Sequence, residues 1–288
     1  MFKGSPMKIH LLPLFLTSLS SVQANVPCAP HSVGVWDQVA YPDYCGFNGE
    51  LGTSLGFSSY SIDSATSDTQ HLLNVSVGAF TMGTSQVIGY SHWFYAQLRE
   101  NFSYGNTFFG AEDALALYPR RLHKAWFFDS DARLFIPFRV SASNRLSLQP
   151  FVGFAIHQAY FKGKLSATAT RWGTLLRQRY LAPMAGLALG YNPTPGFAAR
   201  TSLSVHIPHG KQAQPAQSST AARHYSTLRM QRHGIGLDLL LMARLSGGWT
   251  LTGELDYFAY SALTDSTTDW RTNYTSCLSA KVGASYQF

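Results

Sequence analysis

The sequence predicts an all-β protein: a ten-stranded antiparallel transmembrane β-barrel with short periplasmic turns and long extracellular loops. Three observations predict it. The chain opens like an exported protein and then offers no apolar run long enough for a membrane helix. Ten segments alternate polar and apolar residues with period two. Their connections alternate between short and long.

The opening residues read as an export signal. Lys3 and Lys8 precede the apolar core "LLPLFL", and "VQA" (Val22 to Ala24) supplies a small-residue cleavage site. The start is Met1 or Met7. Residues 1–24 are therefore assigned as a cleaved signal peptide, 25–46 as an N-terminal periplasmic segment and 47–288 as the barrel. Removing residues 1–24 takes away two lysines and no acids, which leaves a charge of about +5. In an exported chain this balance favours contact with anionic lipid over nucleic acid. Only 13% of residues are charged, which is low for a wholly solvated surface. The longest later apolar run, Ile235 to Leu245, is broken by Asp238 and Arg244.

The alternating segments fall near 47–60, 70–81, 86–99, 131–141, 146–161, 178–192, 196–207, 225–244, 248–261 and 272–288. In the seventh, Phe197, Ala199, Thr201, Leu203, Val205 and Ile207 oppose Arg200, Ser202, Ser204 and His206. In the ninth, Trp249, Leu251, Leu255 and Tyr257 oppose Thr250, Thr252, Glu254 and Asp256. One apolar and one polar face suit a barrel with lipid outside and water inside.

The short connections are "MGTSQ", "SASNR", "NPTPG" and "LSGGW", rich in turn-forming Gly, Pro, Asn and Ser. The long ones fall near 61–69, 100–130, 162–177, 208–224 and 262–271. An even strand count leaves both termini periplasmic, with the protein in the bacterial outer membrane. The final strand, "LSAKVGASYQF", resembles the closing strand of outer-membrane proteins, whose terminal aromatic is read by the barrel-assembly machinery; Phe288 and Tyr286 fit that pattern.

Cys28 and Cys45 flank a short N-terminal segment and are candidates for a disulfide, since export places them where disulfides persist; two unpaired thiols are the alternative. No spacing resembles a metal site, and no cofactor is implied.

"NRLSLQPFVGFAIHQAYF" (Asn144 to Phe161), "RQRYLAPMAGLALGYNPTPGFAARTSL" (Arg177 to Leu203) and "GWTLTGELDYF" with "SAKVGASYQF" resemble the omptin family of outer-membrane proteases and adhesins. The resemblance implies an aspartate pair from the second loop facing an Asp-x-His pair at the top of the seventh strand, the two together activating a water. Here the seventh strand leads into "VHIPHGKQAQPAQSSTAARH", which contains no aspartate. Asp129 and Asp131 have the family's pair spacing, but at the far end of the second loop. The catalytic candidates are accordingly Asp129, Asp131, His157 and His206, with one of the histidines as a base oriented by one of the aspartates.

The inward polar set includes Glu50, Arg133, Arg139, His157, Arg200, His206, Asp238, Glu254, Asp256 and Lys281, expected to line a wet lumen with ion pairs and hydrogen bonds. Glu254 and Lys281 lie at similar heights on adjacent strands and are expected to pair. Arg171, Arg177, Arg179, Arg223, Arg229 and Arg232 gather around loops three and four as an anionic ligand-binding collar, suited to glycolipid phosphates or acidic host polymers. The expected role is loop-mediated interaction or adhesion. The alternatives are an omptin-like endopeptidase with displaced residues and a small-solute channel.

Overall fold

The computed structural model describes residues 47–64, 73–90, 94–109, 122–140, 146–164, 172–194, 196–215, 225–262 and 273–288. The export-like segment, Cys28, Cys45, Arg171 and Arg223 lie outside the described residues, as does the "SASNR" turn.

Ten strands close into one sheet. They are β1 (Phe47–Ser64), β2 (Leu73–Tyr90), β3 (Phe94–Phe109), β4 (Leu122–Phe135, resumed at Phe138–Arg139) and β5 (Leu146–Lys164). Then come β6 (Trp172–Thr194), β7 (Phe197–His206, resumed at His209–Pro215), β8 (Tyr225–Arg244), β9 (Trp249–Ala262) and β10 (Asn273–Gln287). Each pairs antiparallel with its neighbours in sequence, and β10 returns to β1 with Gln287 opposite Glu50 and Asn273 opposite Ser64. Closure removes both sheet edges and satisfies the backbone within the sheet, the condition a strand must meet to cross lipid.

The interruptions in β4 and β7 have a common cause. Pro137 and Pro208 lack an N–H and cannot donate to the ladder. The preceding residues keep the seam closed: Ile136 N–H donates to Pro150 O at 3.0 Å, and Ile207 N–H to Pro183 O at 2.9 Å.

Alternation decides what each wall presents. Along β7, Leu203 and Val205 are more than half exposed, while Ser202, Ser204 and His206 are buried. Exposed large apolar side chains continue around the barrel, from Leu55 and Phe57 on β1 to Leu278 and Val282 on β10. A water-facing surface does not carry apolar area on that scale. The outer wall faces lipid, and the protein is a transmembrane barrel.

The second and third strands differ from expectation. "MGTSQ" does not turn: Met82 to Gln86 run through the middle of β2, and the chain reverses between Tyr90 and Phe94. Gly83 is small because its position in the wall is crowded; a Cβ there would meet Ser54 Oγ at 2.5 Å and Asn101 Oδ1 at 2.7 Å. Glu100 to Phe109 and Leu122 to Ser130, assigned to the second loop, are strand. The "LSGGW" turn does form, as a short helical turn over Ser246–Gly248 with Gly247 and Gly248 at φ of 73° and 81°, values that favour glycine.

The lumen is filled in layers, with "lower" meaning the end where β1 begins and β10 finishes. Low down, Tyr95 stacks on Phe135 at 4.5 Å between centroids, Phe151 meets Phe135 at a tilt with centroids 4.8 Å apart, and the Arg200 guanidinium covers Phe135. The middle is ionic. Above it Tyr60 lies flat on Phe127 with Ile62, Val77, Ala125, Ala159 and Phe161 packed around them. A lumen wet throughout was expected; its upper part is apolar. There β4 and β5 carry aromatic rings on both faces, so their alternation gives no sign of which side is inside.

Candidate functional site

The ionic layer is built on Arg99, which the sequence reading did not single out. Its guanidinium reaches three strands. Nε donates to Asp131 Oδ2 at 3.0 Å, Nη1 to Asp256 Oδ1 at 2.7 Å and Nη2 to Asp238 Oδ1 at 2.8 Å. Arg133 doubles the brace, with Nη1 2.5 Å from Asp238 Oδ2 and Nε 2.7 Å from Asp131 Oδ1. Ser202 also donates to Asp238 Oδ2, at 2.6 Å. Lys281 joins β10 to the layer: Nζ lies 2.8 Å from Glu254 Oε2, 3.0 Å from Asp256 Oδ2 and 2.8 Å from Asn101 Oδ1. The structure thus brings Glu254 and Lys281 together. Arg99, Arg133, Asp238 and Lys281 are buried and Asp131, Glu254 and Asp256 partly so, and each carboxylate except Glu254 touches at least one guanidinium, the arrangement that makes buried charge tolerable.

Asp129 and Asp131 are both on β4, well inside the barrel rather than at a loop end. The two do different things. Asp131 belongs to the arginine brace. Asp129 stands directly opposite His157 in the β4–β5 register, accepts from His157 Nδ1 at 2.5 Å and accepts from the Tyr60 hydroxyl at 2.5 Å. Tyr60, Asp129 and His157 therefore form a continuous relay. His157 is 1% exposed and rings of Tyr60, Tyr180 and Phe258 surround it. In the neutral ring with Nδ1 donating to Asp129, Nε2 presents its lone pair, and Nε2 has no hydrogen-bonding neighbour. It borders a cavity of about 60 Å³ between the relay and the arginine brace.

His206 does not join the relay. Its Nε2 is 2.7 Å from Ser204 Oγ and its Nδ1 3.2 Å from the Tyr260 hydroxyl. Ser204 stands two residues before it, where the omptin pattern has aspartate. A serine there cannot supply the negative charge that stabilises an imidazolium, so the resemblance does not extend to the family's histidine pair.

The collar arginines divide. Arg177 and Arg179 are in β6 with Gln178 and Tyr180 buried on the opposite face, so they stand on the outer wall, near its upper end. Arg179 Nη2 donates to the Tyr160 hydroxyl at 2.8 Å, and the Arg177 guanidinium lies 5.1 Å from the same ring. Arg229 and Arg232 lie in β8, where Arg229 pairs through the backbone with Lys211 of β7. Two cations missed from sequence extend the group: Lys124 and Lys162, whose ammonium groups lie 5.3 and 4.8 Å from the Trp126 ring. Toward the upper end of β9, β10, β1 and β2 the outer wall shows the uncharged Tyr257, Tyr274, Ser59, Ser61 and Ser76, and the residue opposite Tyr274 in the register is the acidic Asp63. The cations thus occupy one sector of the wall.

Comparisons with known proteins agree on the fold alone. No family model matches the chain, and no curated protein matches it. Among solved structures the chain is similar to the outer membrane protease OmpT from Escherichia coli, with a TM-score of 0.57 at 10% identity over 86% of this chain and 100% of that one. It also overlaps the translocator domain of the autotransporter NalP from Neisseria meningitidis, with a TM-score of 0.45 at 12% identity over 86% of this chain and 91% of that one. The omptin-type barrel fold read from the sequence is the fold observed.

Proposed function

We propose that this chain is a bacterial outer-membrane barrel with a closed lumen, which works at its outer wall and loops by binding anionic groups on glycolipid or on acidic host polymers. The lumen brace carries the reading. With Arg99 tied to carboxylates on β4, β8 and β9 and a packed aromatic layer above it, neither a metabolite-sized solute nor a polypeptide has a way to His157. That argues against a channel and against a protease groove. The accessible chemistry is the cationic sector of Lys124, Lys162, Arg177 and Arg179, with Arg229 of β8 brought level with Arg179 through the register of both with Lys211 of β7.

Trp126 and Tyr160 are the aromatic members of that sector, and such residues sit well at a membrane–water boundary. Each cation contributes about 1 kcal/mol of attraction near an anionic surface, and the contributions sum within a Debye length of roughly 8 Å at physiological salt. With both termini in the periplasm, the sector lies at the outer leaflet, where phosphorylated glycolipid and host polymers are met. An adhesive role follows from the same surface.

The test is binding to heparin-coated and to lipid-phosphate surfaces at low and high salt, comparing wild type with Lys124→Gln/Lys162→Gln/Arg177→Gln/Arg179→Gln. Wild type is expected to bind at low salt and release as salt rises, with the variant folded but weak. Equal binding by the two proteins at low salt would reduce the sector to a solvated rim.

A further inference from the structure

The cavity between His157 and the arginine brace poses a charge problem that the closed-lumen reading does not use. Four carboxylates line it, from Asp129, Asp131, Asp238 and Asp256, against the two guanidinium groups of Arg99 and Arg133. The remaining ionisable side chains on the wall are His157, His206, Tyr60, Tyr257, Tyr260 and Cys277. With these neutral the walls carry two negative charges in excess. Just below, Lys281 and Glu254 are 2.8 Å apart and offset each other, so they leave the excess unchanged. Uncompensated buried charge of this kind is strongly unfavourable.

An independent feature points the same way. His157 is almost wholly buried, its Nδ1 is committed to Asp129, and Nε2 offers a lone pair at the cavity with no donor to meet it. The cavity also has aromatic walls, from Tyr60, Phe258 and Tyr260, of the kind that favour a cation over a neutral guest. A guest that satisfies all three features is positively charged, carries N–H donors and is small. At about 60 Å³ the cavity exceeds the room one water needs, yet it remains far below the volume of a drug-sized site.

We propose that this cavity is a binding site for a small nitrogenous cation, ammonium or a primary ammonium of methylammonium size, which donates to His157 Nε2 and balances the surplus carboxylate charge. A hydrated alkali ion satisfies the charge but brings no N–H donor for the imidazole. A quaternary ammonium has neither the donor nor the fit. No covalent step is involved, and the site is distinct from the outer cationic sector, which attracts the opposite charge.

The experiment is equilibrium dialysis of the detergent-folded full chain against radiolabelled methylammonium, with ammonium, sodium and tetramethylammonium chlorides as competitors at equal concentration. The expected result is one methylammonium retained per chain, displaced by ammonium and not by the other two. His157→Phe removes the acceptor, and Ser279→Leu fills the cavity from β10 while keeping every charged group in place, Asp256 opposite it included; both are expected to abolish retention. Should His157→Phe fail to fold, Ser279→Leu decides alone. Absence of retention by wild type would overturn the proposal, leaving a cavity that holds only water and protons. Displacement by sodium as effective as by ammonium would overturn it too, as would undiminished retention in a folded Ser279→Leu protein.

Discussion

Arg99 on β3 donates from Nη2 to Asp238 on β8, 2.8 Å away across the lumen and 139 residues along the chain. No neighbouring-strand contact can do this. The bond crosses the lumen, and with the contacts to Asp131 and Asp256 it makes one guanidinium the tie among four strands. A wall held by backbone ladders needs no such brace to close; the brace fills the space that a channel would leave open.

Arg99→Met should therefore be among the most damaging single substitutions. It leaves Asp131, Asp238 and Asp256 short of compensation inside the barrel, at a cost of about 3–5 kcal/mol. Urea unfolding followed by the heat-dependent gel shift of the folded barrel measures this. Arg99→Lys should recover part of the loss, because a single ammonium can face only some of the three carboxylates. A midpoint for Arg99→Met equal to that of wild type would mean that the three carboxylates do not need the guanidinium.

Gly83 separates a turn from a strand. If it sat in a turn, a larger residue would be absorbed by solvent. In the observed wall Gly83→Val meets Ser54 and Asn101, and overpacking of this kind costs about 1–3 kcal/mol. Gly196, which has open space around its Cβ position, serves as the control: Gly196→Ala should leave the unfolding midpoint unchanged.

The closing seam makes its own prediction. Phe288 exchanges backbone hydrogen bonds with Gly49, and its ring covers the glycine so closely that a Cβ would collide with it. Gly49→Leu should displace the terminal aromatic and slow barrel closure, seen as a smaller folded fraction at a fixed time after dilution from urea. Phe288→Ala should lower the same fraction. Normal closure by both variants would show that the seam does not depend on this packing.

Peptidase activity toward substrates with basic residues should be negligible. His206 is backed by Ser204 rather than by a carboxylate, and His157 is enclosed. Cleavage that disappears in His157→Gln or His206→Ala would reverse this conclusion.

Much of the architecture was legible in the sequence because period-two alternation is a direct record of which wall a residue faces. In β7 and β9 the apolar set named from sequence is the lipid-facing set, and Ser202, Ser204 and Asp238 lie inside. The signal fails where both faces have the same polarity. "WFFDSD" in β4 and "QAYFKG" in β5 pack rings inward as well as outward, so Asp129 and Asp131 read as loop residues when they are lumen residues. Arg99 was lost for a related reason. Reading Gly83 as a turn ended the third strand at residue 99 and placed this arginine at a rim. With β3 running from Phe94, it shares a face with Gln97 and Ser103, both buried.

The relay could not have been read from spacing. Tyr60, Asp129 and His157 come from three strands, and only the register that sets Asp129 against His157 brings the second pair together. The outer cations were half visible: the arginines stood out by number, while Lys124 and Lys162 gain meaning only from meeting at the Trp126 ring.

The closed lumen is the claim on which the rest depends, and single-channel recording in planar bilayers tests it most directly. Purified wild-type barrel should insert without stepwise ohmic conductance, because the arginine brace and the aromatic layer above it leave no continuous water path. Reproducible conductance steps on insertion of wild type would contradict the account and make the protein a pore.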